Sequence, residues 1–150
     1  MSTHCYLGTE HKDGSIAAIY VHSDGYPEYI VPLLLGHYND RQKVEELIAL
    51  GDLSELKEKL YPDPSQPHGF DFDKRQPGVT VAYTRDRGED WAHNKPKVFV
   101  NRDDFLGEEI GNGFFEMDYY YLWSAAQGWL IHKGKRQFFP LETRKALRLV

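Results

Sequence analysis

Two apolar runs bounded by turn signals open the chain and predict a β-hairpin. Residues 4–9 and 15–22 are mostly apolar or aromatic, and a turn signal ending in Asp13-Gly14 separates them. Such runs, bounded by aspartate and glycine, favour two short strands joined by a tight connection. A second turn signal, Asp24-Gly25, follows directly. The pattern therefore predicts an antiparallel hairpin whose second strand ends at His22, where loops commonly carry chemistry.

Leucine-rich segments with helical spacing follow the hairpin. The segments 30–38, 39–50 and 52–60 each predict a short helix. Pro32 is expected in the first turn of the first helix, where a missing N–H costs little. The second segment begins with a capping-box arrangement at Asn39 and ends before a glycine, and the third repeats that arrangement from its first residue. Three helices that together present one apolar face need a sheet against which to bury that face.

The second half of the chain returns to strand patterns after a proline-rich loop at 61–78. The predicted elements are a strand at 79–83, an edge strand at 97–100, a hairpin formed by 116–124 and 128–133, and a basic helix at 141–149. We therefore expect a single α+β domain over residues 1–150. Its antiparallel sheet would have about five strands, with two or three short helices packed on one face.

Composition narrows the class of protein. The net charge is −5, yet residues 126–150 carry six lysines and arginines against one glutamate. A solvated basic helix is the favoured interpretation, and a nucleic-acid-interacting module is the alternative, which the overall negative charge disfavours. Cys5 is the single cysteine, so an internal disulfide is excluded. We expect Cys5 to be a buried strand residue. Without a signal peptide or membrane-length apolar run, we expect a cytoplasmic protein with no membrane partner.

Two strand ends carry the candidate site. His22-Ser23-Asp24 closes the first hairpin, and a charged cluster over 85–90 follows the strand at 79–83. Guanidinium forks bind phosphate or carboxylate, and tyrosines supply stacking walls, so a small anionic ligand is predicted between the two clusters. The predicted ligand-binding residues are His22, Asp24, Tyr26, Tyr83, Arg85, Asp86 and Arg87. A competing interpretation makes 85–90 a self-neutralising turn and His22 a hydrogen-bonded structural residue.

A hydrolase is the alternative function. His22, Asp24 and Asp86 could form an acid–base or metal-dependent cluster, with His68 or Asp71 as further ligands. No spacing among them reproduces a recognised ligand motif, so we predict no metal and no cofactor, and we assign no catalytic residue.

Four segments together resemble a known family. The order YVHSDGYPE (20–28), LLLGHY (33–38), LIALGDLSEL (47–56) and AYTRDRGED (82–90) is similar to that of short, largely uncharacterised proteins of tailed phages and prophages. The resemblance implies a phage accessory protein in the host cytoplasm that binds a host protein or a small nucleotide-like ligand. A counter-defence inhibitor, or a sponge for a nucleotide-derived signal, would fit that description. Family members often have tryptophan where this chain has Ser23, and the resemblance transfers no catalytic residue.

Overall fold

The first hairpin forms as predicted and becomes the centre of a larger sheet. In the computed structural model, which describes residues 3–107, 118–132 and 137–141, strands β1 (Cys5–Glu10) and β2 (Ile16–Val21) pair antiparallel. Cys5 lies opposite Val21 and Glu10 lies opposite Ile16. Cys5 is fully buried, as predicted.

Twelve further elements follow within the described ranges. They are α1 (Pro27–His37), α2 (Arg41–Ala49), β3 (Leu53–Glu55), a 3₁₀ turn (Phe72–Lys74), β4 (Val81–Ala82), α3 (Tyr83–Arg87), α4 (Trp91–Asn94), β5 (Lys97–Phe99), α5 (Arg102–Leu106), β6 (Tyr119–Ser124), β7 (Gly128–His132) and β8 (Phe138–Pro140). None of the helices among these is long and apolar enough to cross a membrane.

The sheet is mixed, with eight strands in the described ranges. Its order is β4-β3-β2-β1-β6-β7-β8, and β5 also pairs with β2. The pairs β1–β6 and β2–β3 are parallel, and the other pairs are antiparallel. The predicted α+β class is confirmed. The prediction of an antiparallel sheet of about five strands is wrong, because the sheet is mixed and has more strands. The crossover through α1 and α2 returns the chain beside β2 in the same direction, as a parallel pair requires.

Both faces of the sheet are covered over part of their area. On one face, Leu7 and Ile19 pack in a core with Leu34 of α1 and Leu47 of α2. Side chains alternate along a strand, so the neighbours of these residues face the other way. There, a second core contains Tyr6, Ile16 and Tyr120, with Phe105 and Leu106 from α5. The prediction that helices pack on one face alone therefore misses α5.

Helix α1 begins earlier than predicted, and this changes the role of its prolines. Pro27, not Pro32, occupies the first turn, and Pro32 is the sixth residue of the helix. An interior proline removes one helical hydrogen bond. The cap of α2 is also shifted, because Asp40 rather than Asn39 accepts the backbone N–H of Lys43, at 2.9 Å.

Two elements near the candidate site differ in kind from the prediction. The third predicted helix is instead the short strand β3, whose Leu53 pairs with Val21 of β2. The strand predicted at 79–83 shortens to β4, and Tyr83 begins α3. The Asp86 carboxylate reaches back to the N–H of Ala82, at 2.8 Å, as in one half of a capping box. Gly88, at a φ of +78°, ends the helix in the left-handed region.

The later strand predictions hold where they can be compared. The edge strand predicted at 97–100 is β5, and β6 and β7 form the predicted hairpin, with Ser124 opposite Gly128. Residues 116–117, Lys133 and most of the basic helix predicted at 141–149 lie outside the described residues. The same is true of residues 108–115, which include a glycine-containing stretch and Phe114-Phe115.

Candidate functional site

Asp52 fills a gap along one edge of β2. On that edge, β5 pairs with residues 16–18 and β3 pairs with Val21, so the backbone N–H of Tyr20 lies between the two partner strands. The Asp52 carboxylate accepts this N–H at 2.9 Å. Asp52 is only 7% exposed, and burial raises its pKa to about 6. The Asp52 carboxylate therefore takes the place of a neighbouring strand as the acceptor of the Tyr20 N–H.

The Tyr20 side chain connects two histidines. Its hydroxyl lies 2.8 Å from Nδ1 of His22 and 3.0 Å from Nδ1 of His4. The same His4 nitrogen is 2.6 Å from the His22 carbonyl oxygen. A carbonyl only accepts, so His4 Nδ1 carries a proton and donates to it. The Tyr20 hydroxyl can both donate and accept, so the direction of its bond with His22 Nδ1 is set by the tautomer of His22. Burial, and then the neighbouring His4, lower the pKa of His22.

Phe70 and Tyr83 form a pair of neighbouring aromatic rings, and two guanidinium groups lie over the Phe70 ring. The Tyr83 ring centre is 5.7 Å from that of Phe70. The Arg87 guanidinium lies 4.7 Å from the centre of the Phe70 ring, and Arg75 lies 5.4 Å from it. Both tyrosines are bonded to Asp52: the backbone N–H of Tyr20 donates to its carboxylate at 2.9 Å, and the backbone N–H of Tyr83 donates to its carbonyl at 3.2 Å. We call His4, Tyr20, His22, Phe70, Tyr83 and Arg87 the ring cluster.

Arg87 is the accessible cation of the ring cluster. Its side chain is 53% exposed, and its Nε lies 3.4 Å from the Glu89 carboxylate. Exposed pairs of this kind contribute little stability. The guanidinium can therefore exchange Glu89 for another anion at small cost while it stays against the Phe70 ring.

Three of the predicted ligand-binding residues, His22, Tyr83 and Arg87, belong to the ring cluster. Asp24 and Tyr26 lie instead at the start of α1. The ring of Tyr26 is 6.1 Å from that of Tyr29. Their role in binding remains a prediction.

Arg85 and Asp86 bind each other and the main chain. Arg85 donates through all three guanidinium nitrogens: to the carbonyls of Leu60 (2.5 Å) and Thr80 (2.7 Å), and to both oxygens of Asp86 (2.9 and 3.0 Å). The Asp86 side chain is 4% exposed. This local pairing is what a self-neutralising arrangement predicts. A ligand at Arg85 or Asp86 would have to displace these bonds.

Gln76 and Arg75 make side-chain hydrogen bonds within the proline-rich loop, and Arg75 Nε donates to the Phe70 carbonyl at 2.7 Å. Gln76 accepts the N–H of Asp63 at 2.7 Å and donates to the carbonyls of Asp63 (2.9 Å) and Gln66 (3.0 Å). Its own N–H donates to Nδ1 of His68, whose buried ring lies 3.5 Å from Asp86. These contacts fix the loop segment that carries Phe70 into the ring cluster.

Of the residues of the hydrolase hypothesis, the structure brings His68 and Asp86 together, at 3.5 Å, and places His22 and Asp24 in other surroundings. His22 bonds Tyr20, Asp24 is in the turn before α1, and Asp86 belongs to the Arg85 network. Among residues 3–107, 118–132 and 137–141, no group of three or more His, Cys, Asp or Glu side chains could hold a metal ion. Burial raises the pKa of the Cys5 thiol, which disfavours a nucleophilic thiolate.

Sequence reasoning missed His4 and Phe70. The hairpin register offers a signal for His4, because pairing Cys5 with Val21 sets His4 next to His22. Phe70 had no comparable signal, since only the folded loop brings it against Tyr83.

Comparisons with known proteins find no relative. No family model matches the chain, and neither a curated protein nor a solved structure matches it.

Proposed function

We propose that the protein is a non-enzymatic binding protein whose ligand is a small anion with a planar ring, held at the ring cluster. One observation carries the proposal: the half-exposed Arg87 guanidinium lies 4.7 Å over Phe70, beside Tyr83. A guanidinium on an aromatic face keeps its edge free to bind phosphate, and the neighbouring rings provide stacking surface.

The histidine end of the cluster suits the ring of such a ligand. Burial lowers the pKa of His22, which favours the neutral ring, and in the tautomer that accepts the Tyr20 hydroxyl at Nδ1 its Nε2 carries the proton. An N–H donor next to aromatic surface can recognise an acceptor on a heterocycle. A nucleotide-like compound combines that heterocycle with the phosphate that Arg87 would bind. The net charge of −5 favours a small ligand over a nucleic-acid chain.

The resemblance to short phage proteins supports a biological setting for this binding. A phage accessory protein with such a site would act in the host cell as a sponge for a nucleotide-derived defence signal. The alternative partner is a host protein that presents a phosphorylated or acidic group to the ring cluster.

Thermal unfolding with a ligand panel tests the proposal. The panel contains nucleosides, nucleoside monophosphates and cyclic dinucleotides, each added to the full chain. A ligand that binds the native state raises its stability by about 2.7 kcal/mol at a hundred times its Kd. We expect Tm to rise with compounds that carry both ring and phosphate. If no compound in the panel raises Tm, the proposal is wrong.

The chain offers a matched control for Arg87→Ala. Arg41 also lies over an aromatic ring, 5.5 Å from the centre of Trp123, and it pairs with Glu45 at 3.8 Å with a side chain 51% exposed. We expect Arg87→Ala to abolish the ligand-induced rise in Tm and Arg41→Ala to retain it. Equal loss in both variants would mean that general charge, not the ring cluster, binds the ligand.

A further inference from the structure

One side of β5 carries backbone groups that face away from the sheet. In the part of the chain that the structure describes, β5 pairs with β2 alone. Tyr20 turns its N–H to this side of β2, and backbone groups alternate along a strand, so the two residues that pair with Phe99 and Lys97 do the same. Phe99 and Lys97 therefore bond inward, to β2. Val98, between them, turns its N–H and its carbonyl outward.

The neighbours of Val98 limit how another strand can pair here. Pro96 has no backbone N–H to donate. The N–H of Val100 is accepted by the Asp104 carboxylate at 2.9 Å. A proline and an occupied donor are devices that keep an edge strand from extending its pairing. The edge can therefore take a short partner, with the N–H of Val98 as its donor.

Apolar side chains lie exposed along the same strand. Val98 and Val100 are each 74% exposed, while Phe99 between them is buried in the second core. Because side chains alternate along a strand, the two valines share the opposite face of the sheet. The edge with the outward N–H of Val98 thus also presents an apolar strip.

Charge changes sign along this segment. The exposed Lys95 precedes β5, and the exposed Asp103 lies in the first turn of α5. Arg102, next to Asp103, donates to both oxygens of Glu10 at 2.7 and 3.0 Å, so its charge is compensated within the chain. Two copies of the segment that run antiparallel would bring the positive end of each to the negative end of the other.

We propose that β5 pairs antiparallel with β5 of a second copy of the chain, related to the first by a two-fold axis. The register sets Val98 opposite the partner's Val100, so the valines of both copies form one strip and Lys95 lies across from the partner's Asp103. Each Val98 N–H donates to the partner's Val100 carbonyl, and the bond between Val100 and Asp104 stays intact. A two-fold axis makes both halves of this contact identical. The surface shares no residue with the ring cluster.

Side chains decide between this register and the nearest alternative. Setting the two Val98 residues opposite each other would place Val100 against the partner's Pro96 and Lys95 against the partner's Asn101. That register loses both the valine pairs and the charge pairs. The few hydrogen bonds and the short apolar strip give a weak, transient dimer, since stable interfaces bury a larger area.

Analytical ultracentrifugation of the full chain, over a dilution series that reaches millimolar protein, measures this association. We expect the mass to rise from that of a monomer toward twice that value. Hydrogen exchange by NMR then identifies the surface. The Val98 amide should exchange more slowly in concentrated protein, in proportion to the fraction that remains monomeric, whereas the amides of Lys97 and Phe99 should be protected at every concentration. A monomer throughout the series would overturn the proposal, and so would a dimer that leaves exchange at Val98 unchanged.

Charge-exchange variants test the register. Asp103→Lys sets like charges opposite each other twice in the dimer and should raise its Kd about tenfold. Adding Lys95→Asp to the same chain restores opposite charges and should return Kd to the wild-type value. A double variant that stays as weak as Asp103→Lys would overturn the proposal.

A lysine within the apolar strip tests its contribution. Val98→Lys places a charge there in both copies and should raise Kd at least about tenfold. Phe72→Lys is the control, because Phe72 is 85% exposed and lies in the 3₁₀ turn. It adds the same charge and removes exposed apolar surface elsewhere, so its Kd should match that of the wild type. An equal rise in both variants would mean that the association is unspecific and would overturn the proposal.

Discussion

Replacing Asp52 by asparagine should stabilise the protein at neutral pH. The amide oxygen can still accept the N–H of Tyr20, which Asp52 now accepts at 2.9 Å, while the buried charge is removed. Because the pKa of Asp52 is raised in the fold, its contribution to stability is fully present below the unfolded pKa. That contribution is lost as pH rises through the folded pKa. The wild type therefore carries a cost at pH 7 that Asp52→Asn does not.

The size of this cost follows from the two pKa values. The rise from 3.8 to about 6 corresponds to roughly 3 kcal/mol, at about 1.4 kcal/mol for each pKa unit. The new amide adds N–H donors, and leaving one of them unpaired costs about 1–3 kcal/mol at every pH. The absolute gain at pH 8 is therefore small, about 0–2 kcal/mol. The change in the difference between pH 8 and pH 3.5 is the sharper quantity, because the constant cost cancels there.

Urea unfolding of both proteins between pH 3.5 and pH 8 measures this quantity. We expect the free energy of unfolding of Asp52→Asn, relative to wild type, to rise by about 2–3 kcal/mol over that range. Asp13→Asn is the control, because hydrogen bonds from Ser15 lower the pKa of the exposed Asp13 and predict the opposite sign. A difference between Asp52→Asn and wild type that stays constant with pH would refute the reasoning.

Three further predictions concern the hairpin and the loop. Gly25→Ala should destabilise the protein by about 1–3 kcal/mol in urea unfolding, because a Cβ would lie 2.8 Å from Cys5 Cβ; an unchanged midpoint would contradict this packing. Gln76→Ala should speed limited proteolysis within 61–78, since the side chain holds both Asp63 and Gln66; equal cleavage rates would show that other contacts fix the loop. The wild type should lose stability as pH falls below about 6.5, because the pKa of His22 is lowered in the fold. His22→Gln should make this loss smaller. Urea unfolding at pH 7.5 and pH 5 measures the loss, and an unaltered value would refute the prediction.

Local pattern was sufficient for the elements whose partners are close in sequence. The first hairpin and the β6–β7 hairpin need only strand-forming residues and a turn, and both were predicted. The segment beginning at Asp52 shows why other elements were not. Its polar residues and leucine spacing fit a helix as well as a strand, and the choice depends on the free edge of β2, which lies more than 30 residues earlier. Pairing over such a distance leaves no mark in a local window.

The residues of the candidate site likewise fall into those that a local pattern identifies correctly and those that it does not. Charged residues after a strand pointed to His22 and Arg87, and the structure brings both into the ring cluster. The same rule also selected Arg85, whose guanidinium turns inward to Leu60 and Thr80. Sequence cannot separate two arginines two residues apart on a five-residue helix, because one of the carbonyls that bind Arg85, that of Leu60, belongs to a segment 25 residues earlier.

Tyr20 links Asp52 and His22, whose pKa shifts have opposite effects on stability as pH changes. Its main chain is held by Asp52, and its hydroxyl by His22. As pH rises, the raised pKa of Asp52 removes stability and the lowered pKa of His22 restores it. Relative to the wild type, the free energy of unfolding in urea should therefore rise with pH in Asp52→Asn and fall with pH in His22→Gln, so the two differences should slope in opposite directions.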